Sequence, residues 1–299
     1  MHAYLVIAHN EPELLYKLLE SLDYDDNDIY LHIDKNSDCF SEEQLLKACK
    51  KSNLYFAERE HVAWGGYSLI NVELSLLEMA KKNGTYAYYH LVSGVDIPLK
   101  KQEDMHAFFK KNSGKEFIQF CDDDFNTKNK GRYARYHFLQ DHIGRKKTGL
   151  YLVERVLLKV QSLIGVDRSK DGICYKGGAQ WFSITDSLAE HLLRNKPLIE
   201  KMFKYSFCCD EFFLQTFVYN SDFYNNVYKV QDVPSYITCM RYIDWKRGDP
   251  YVFRAQDLDE LVNSGYLFAR KFSTAEESSK QCALELYKRV SGIITSDLE

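Results

Sequence analysis

Several acidic positions and one tryptophan-glycine turn stand where this 299-residue chain could do chemistry. Asp96 follows the run Tyr86-Ala87-Tyr88-Tyr89-His90-Leu91-Val92, apolar and aromatic on both faces as a doubly covered strand should be. Gly94 and Pro98 end that strand and leave Asp96 on a loop. In open α/β sheets ligands bind outside the carboxyl ends of strands, so Asp96 either faces a ligand or caps its own turn. Asp34 closes an earlier strand, Ile29 to Ile33, where a carboxylate holds a ribose or base or stays a solvated turn residue. Trp64-Gly65-Gly66 is either a place where backbone approaches a flat ligand closely or a tight turn with a packed indole. Asp122-Asp123-Asp124 has the carboxylate spacing that holds a divalent cation against a nucleotide diphosphate, a spacing that also arises by chance. Asp210-Glu211 opens a helix, and acids in a first turn also simply complement the helix dipole.

The elements that must position these residues alternate. A strand from Ala3 to Ala8 leads into a helix beginning at Pro12, with Asn10 and Glu13 spaced as a capping box. After the strand ending at Ile33 come a helix from Ser41 to Lys51, a strand from Leu54 to Ala57, and a helix from Tyr67 to Lys82 that turns Leu69, Val72, Leu76, Leu77 and Ala80 inward. This β-α-β-α-β order predicts an α/β fold with a parallel sheet and right-handed crossovers. The first turn has no glycine fingerprint, so the usual dinucleotide cradle is absent. Further along, the pattern predicts a helix over Gln102 to Lys111, a strand over Glu116 to Phe120, a glycine-led strand within Gly177 to Ile184, and a helix over Asp186 to Arg194. A helix opening at Phe207 and reaching Tyr219, a strand over Tyr236 to Tyr242, a helix over Asp257 to Asn263, and a last helix near Ser273 with a Glu276 capping box complete the pattern.

The net charge of -4 draws nothing to nucleic acid. Eight dispersed cysteines without a C-x-x-C pair, and an opening segment with neither basic leader nor long apolar run, point to reduced thiols and a cytoplasmic location. From Asn126 to Lys159 nine basic residues face two acidic ones, a net +7. Within and just beyond it, Leu150, Val153, Val156, Leu157, Val160 and Ile164 mark an amphipathic helix that either lies on the inner face of an anionic membrane or packs on its own domain.

Taken together the pieces resemble the core-2/I-branching family of glycosyltransferases, which also holds the protein xylosyltransferases, in a bacterial-type form. The carriers are Ala8-His9, His32-Ile33-Asp34-Lys35, Trp64-Gly65-Gly66-Tyr67-Ser68-Leu69, Ser93-Gly94-Val95-Asp96-Ile97-Pro98, Gly177-Gly178-Ala179-Gln180-Trp181-Phe182, Asp210-Glu211-Phe212 and Phe268-Ala269-Arg270-Lys271-Phe272. They run in order along nearly the whole chain. The resemblance implies a GT-A type, Rossmann-like nucleotide-sugar fold with a mostly parallel sheet flanked by helices. Residues 1–299 would form one domain: a nucleotide-binding half over about 1–125, a basic insertion over about 126–170, and an acceptor and catalytic half over about 171–299.

It also implies an inverting reaction with a UDP-sugar donor, commonly carrying N-acetylglucosamine or xylose. No cofactor and no divalent metal are expected. By match to the family, Glu211 is the base, while Arg254 and Lys271, with Arg270 beside them, neutralise the departing diphosphate. His9, Asp34, Trp64 and Gly65 join the donor contacts, and Asp96, Gln180 and Trp181 the sugar or acceptor contacts. The acceptor would be a glycan, free or lipid-linked, of a bacterial surface polysaccharide. Chemistry agrees with such a set: a single in-line displacement needs one base for the acceptor hydroxyl and positive charge where the diphosphate leaves. The alternatives are a metal-dependent transferase using Asp122 and Asp124, and a carbohydrate- or nucleotide-binding module without catalysis.

Overall fold

Successive side chains of the first strand enter two different cores, and that alternation decides the architecture. Ala3 and Leu5 point to one side, Tyr4, Val6 and Ala8 to the other, and all five are buried. A strand with no polar face must be covered on both sides. The computed structural model describes residues 1–146, 149–229 and 237–291. In chain order its regular elements begin with β1 (His2–Ala8), α1 (Pro12–Leu22), β2 (Asn27–Ile33), α2 (Glu42–Ala48), β3 (Asn53–Phe56), α3 (Tyr67–Asn83), β4 (Tyr88–Ser93), β5 (Ile97–Pro98) and α4 (Gln102–Lys111). Four helices follow without a strand: α5 (Asp123–Lys128), α6 (Gly131–Ala134), α7 (Gln140–Ile143) and α8 (Gly149–Leu163). The chain continues through β6 (Ser183–Thr185), α9 (Asp186–Arg194), α10 (Lys196–Phe203), α11 (Phe213–Tyr219), β7 (Arg241–Ile243), α12 (Leu258–Asn263), β8 (Phe268–Arg270) and α13 (Glu277–Ser291).

The main sheet has the order β3-β2-β1-β4-β6. Its first four strands are parallel, with His2 opposite both Asn27 and Tyr88 and Asp28 opposite Asn53, while β6 closes the edge antiparallel to β4. The parallel α/β sheet expected from the alternation is therefore present. Leu74 and Leu77 of α3, Leu188 and Leu192 of α9, Phe203 of α10 and Phe213 of α11 cover one face. Leu15 and Leu18 of α1, Leu45 of α2, and Met105 and Phe109 of α4 cover the other. A small second sheet, β5-β8-β7, rests with α12 and α13 on a third core around Ile97, Phe253, Leu261, Ala269 and Leu286. Chain order steps outward from β1 through β2 to β3 and then returns to β1's other side with β4. That reversal opens a crevice at the carboxyl ends of β1 and β4, the place where such sheets bind ligands.

Local expectations fail where distant groups compete. Glu116 to Phe120 forms no strand; only isolated bridges join Glu116 to Val227 and Phe117 to Ser183. Its backbone is satisfied otherwise, since Ile118 O accepts from Thr238 Oγ1 and Gln119 O from Gln215 Nε2. The Asn10–Glu13 capping box is absent: Glu11 is the N-cap of α1, at φ 58°, and its carboxylate accepts instead from Ser273 Oγ and Thr274 N. Glu276 pairs with Arg254 rather than capping α13, which starts one residue later. In α3, Ile70 takes the buried place expected of Leu69. The strand expected from Tyr236 is observed as Arg241–Ile243; Tyr236, like Lys147 of the basic segment, lies outside the described residues.

Candidate active site

The crevice gathers residues from both halves of the chain. His9 follows β1, and its imidazole is kept neutral by desolvation, which outweighs the pull of Asp34 and is reinforced by Arg145, Arg270 and Lys271. Three cations thus share the field of one exposed ring. Arg270, at the end of β8, is placed by two contacts: its guanidinium lies 3.9 Å from the centre of the Trp181 ring, and Nη1 stands 3.7 Å from Asp96. Arg270 Nη1 is buried without a hydrogen-bond partner among the described residues. Lys271 follows, half-buried, with no ion pair among the described residues, and Phe272 N–H binds Val95 O beside the β4 turn.

Asp96 itself does not face the crevice. It is fully buried, and its two oxygens accept from Ser93 N–H at 2.9 Å and Ser93 Oγ at 2.8 Å. The expected sugar contact is therefore replaced by a turn cap that also steadies Arg270. Arg254 does not join the cations either, because its guanidinium sits on the surface at 3.0 Å from Glu276. Arg145, from the basic segment, stands in that group instead and covers the Trp64 ring at 5.0 Å. Asp34 is a brace: Oδ1 accepts from Asn36 N–H and Oδ2 from Val62 N–H, which ties the loop after β2 to the Trp64 turn.

A second wall carries Glu211. A 3-10 turn, Cys209–Glu211, precedes α11, so Glu211 ends that turn rather than lying inside the helix expected to open at Phe207. Its carboxylate is one-third exposed, and Oε2 accepts from Arg132 Nη1 of α6 at 2.6 Å. Its other oxygen has no hydrogen bond among the described residues. Asp210 turns inward, nearly buried, with Oδ1 unpartnered. Behind it lies Glu73 of α3, fully buried, whose Oε1 accepts from Gln180 Nε2 at 2.7 Å. Burial and the Asp210 charge push the Glu73 carboxyl well above the usual range, so it is held neutral. Gln180 is thus committed to Glu73, and Trp181, only 8% exposed, lies mostly under Arg270. The chain Asp210, Glu73, Gln180, Trp181, Arg270 connects the carboxylate wall to the cation wall without a break.

Glycines let these walls close on each other. A Cβ on Gly65, at φ +71°, would stand 2.9 Å from Cys208 Sγ, and Cys208 N–H binds Gly65 O. Gly178 has no room for a Cβ against Gln119 O, and its N–H binds Glu211 O at 2.8 Å. Protein groups pack closely at the Trp64 turn: Phe207 meets the indole edge-on, and Gln140 Nε2 binds Trp64 O. The carboxylates of the Asp122–Asp124 triplet are each engaged by protein groups. Asp122 N-caps α5 through Phe125 N–H, Asp123 pairs with Lys176, and Asp124 with Lys128. Among the described residues no cluster of three metal-ligating side chains occurs.

Arg132, Arg145 and Glu73 escaped the sequence as site residues. The first two were visible only as charge; Glu73 had a signal, a carboxylate on the otherwise apolar inward face of its helix. Asp210 supports a prediction. Burial first, then the charge of Glu211, pushes its carboxyl up to about 7, against Arg132 and a backbone N–H. The folded state therefore holds this proton longer than the unfolded chain, so the group destabilises progressively from about pH 4 to pH 7. Asp210→Asn should gain stability relative to the parent as pH rises, by a margin on the order of 2–4 kcal/mol at pH 8 and much less at pH 5. Urea unfolding at both values checks this; a margin independent of pH refutes it.

Residues 2–261 match the family model described as Core-2/I-Branching enzyme. Rat xylosyltransferase 2 is 26% identical over 304 residues, covering 95% of this chain and 33% of the relative. The xylosyltransferase of Ciona intestinalis is 26% identical, covering 93% and 32%. The chain therefore spans about a third of the length of the curated relatives it matches. Among solved structures, mouse xyloside xylosyltransferase 1 in its apo form aligns over 89% of this chain and 96% of that one, at 12% identity and a TM-score of 0.37, too remote to bear on the fold.

Proposed function

Because the chain belongs to the Core-2/I-Branching enzyme family, we propose that it is an inverting glycosyltransferase moving a sugar, N-acetylglucosamine or xylose, from a UDP-sugar to a glycan hydroxyl without a divalent metal. One observation carries the reading. A carboxylate fixed by an arginine, with one oxygen unbonded, is linked through Glu73, Gln180 and Trp181 to Arg270, which with Arg145 and Lys271 sets the positive field at His9. The acceptor hydroxyl oxygen attacks the anomeric carbon while its proton passes to Glu211, and the bond from that carbon to the UDP oxygen breaks. UDP departs as an anion and needs no proton, so one carboxylate is enough. The three cations supply, at the phosphates, the charge stabilisation that a metal gives elsewhere. Arg132 holds the Glu211 carboxylate in one orientation, and the Trp181 ring keeps Arg270 from swinging out.

The test is ligand binding with EDTA present throughout. UDP-N-acetylglucosamine or UDP-xylose should raise the melting temperature, because a ligand that binds only the folded state stabilises it. Charge-assisted contacts contribute roughly 1.5–3 kcal/mol each, so calorimetry should find UDP bound about tenfold or more weaker by Lys271→Ala. Arg145→Ala should lose more than Arg254→Ala, whose guanidinium is already paired with Glu276. Unchanged affinity in Lys271→Ala, or parent binding that vanishes with EDTA, overturns the metal-independent site. Donor binding without transfer to any glycan leaves a binding module instead.

A further inference from the structure

Helix α8 is packed inside out. Its buried residues are Glu154 and Gln161, two turns apart on one face. Leu139 N–H donates to Glu154 Oε2 at 3.2 Å, and Gln161 exchanges two 2.8 Å bonds with the Tyr136 backbone. The apolar side chains turn outward: Leu152 is 66% exposed, Val156 62%, Leu163 78% and Ile164, just past the helix, 71%, with Val153 and Val160 about half exposed. At about 100° per residue these six fall within one arc of about 120°, apart from Glu154 and Gln161, and Arg155 and Lys159 border that arc on one side. Helices of globular proteins normally bury such an arc, and a contiguous exposed one marks an interaction surface.

We propose that this face docks on an anionic lipid bilayer. Charge selects the occupant. The segment from Asn126 to Lys159, which runs into α8, carries +7 in a chain of -4; Lys128, Lys130 and Arg132 are paired with Asp124, Asp167 and Glu211, whereas Arg155 and Lys159 stand exposed beside the apolar arc. An anionic surface attracts that basic edge, which orients the molecule. A second copy seated on the same arc would set Arg155 and Lys159 against their own equivalents. The 15 residues of α8 span about 22 Å, and among the described residues no helix is long and apolar enough to cross a membrane. The helix therefore lies in the interface plane, its apolar arc sunk roughly 5–10 Å and its basic edge at the headgroups. The same segment supplies Arg132 to Glu211 and Arg145 to the cation wall, so docking sets the crevice near the bilayer. A lipid-linked glycan would then meet it without leaving the membrane, a step that rests on the transferase reading.

Flotation of the purified protein tests the docking, with phosphatidylcholine vesicles and with vesicles containing about one-third phosphatidylglycerol. The parent should float with the anionic vesicles roughly tenfold better than with the neutral ones and lose that advantage in about 0.5 M salt. Val156→Glu combined with Leu163→Glu should abolish flotation while leaving the melting temperature and transfer to a short soluble acceptor unchanged, since both side chains face solvent. Absence of flotation, equal flotation with both vesicles, or a double variant that floats like the parent overturns the proposal. A parent that is dimeric by light scattering, made monomeric by the same substitutions and without affinity for vesicles, assigns the face to self-association instead. Loss of sugar transfer with docking intact would count against the transferase alone.

Discussion

Glu211→Gln is expected to transfer sugar about 10²–10⁴-fold more slowly than the parent while binding the UDP-sugar almost as well. Glutamine keeps the shape of the side chain, and its amide oxygen can still accept from Arg132, so the wall of the crevice stays in place. What it cannot do is take the acceptor's proton. The loss should therefore appear in kcat and leave the donor KM nearly unmoved, the pattern of an interaction made only in the transition state. Asp210→Asn is the matched control. It lies one residue away, yet its carboxyl turns into the interior toward Glu73 and is 8% exposed, so its replacement should alter the pH dependence of stability far more than transfer. If Glu211→Gln works at near the parent rate, the base is elsewhere. Asp96 is then no substitute, because both its oxygens are occupied inside the β4 turn.

Arg241→Met is expected to lose about 3–5 kcal/mol of stability, the cost of breaking a buried charged network from one side. Arg241 is 2% exposed and joins both sheets from β7. Its guanidinium donates to Leu91 O on β4, to Phe182 O and Ser183 Oγ at the start of β6, and to Cys239 O, and it lies 4.8 Å from the Phe268 ring of β8. Burial pulls its pKa down to about 10, with Cys239 and Asp96 opposing, so the cation persists at neutral pH. Methionine fills similar space but withdraws the guanidinium's hydrogen bonds from the carbonyls at the sheet junction, Phe182 O keeping its bond from Leu91 N–H. Asp96 would also lose one of the two cations that stabilise its buried charge, which loosens Arg270 in turn. Urea unfolding should show the loss, and UDP affinity should fall with it. A midpoint close to that of Arg254→Met, which removes only a surface pair, would mean that the two sheets are held together without this residue.

By itself the sequence determined what depends on near neighbours. Apolar runs bounded by turn residues placed β1, β2 and β4, the alternation with helices predicted their parallel sheet, and α4 and α9 end where their periodicity ends. Each of those features needs only a chain that hides one face or both. Glu116 to Phe120 has the same local character and yet pairs with loops and side chains, because Gln215 and Thr238 reach its carbonyls before a neighbouring strand does. The strand ends that carry His9, Asp34 and Asp96 were legible too, through the turn residues that follow them. Their partners were not. Glu211 meets Arg132 from 79 positions away, Gln180 meets Glu73 from 107, and Arg145 rather than Arg254 acts with Lys271 on His9. Nor could the helical period of Gly149–Leu163 say which face turns inward; Glu154 and Gln161 do, because Leu139 and Tyr136 offer partly buried backbone groups that need partners. Periodicity sets which residues share a face. What that face meets is fixed only when the whole chain has folded, since the energy of a buried charge or hydrogen bond belongs to the pair and not to either residue.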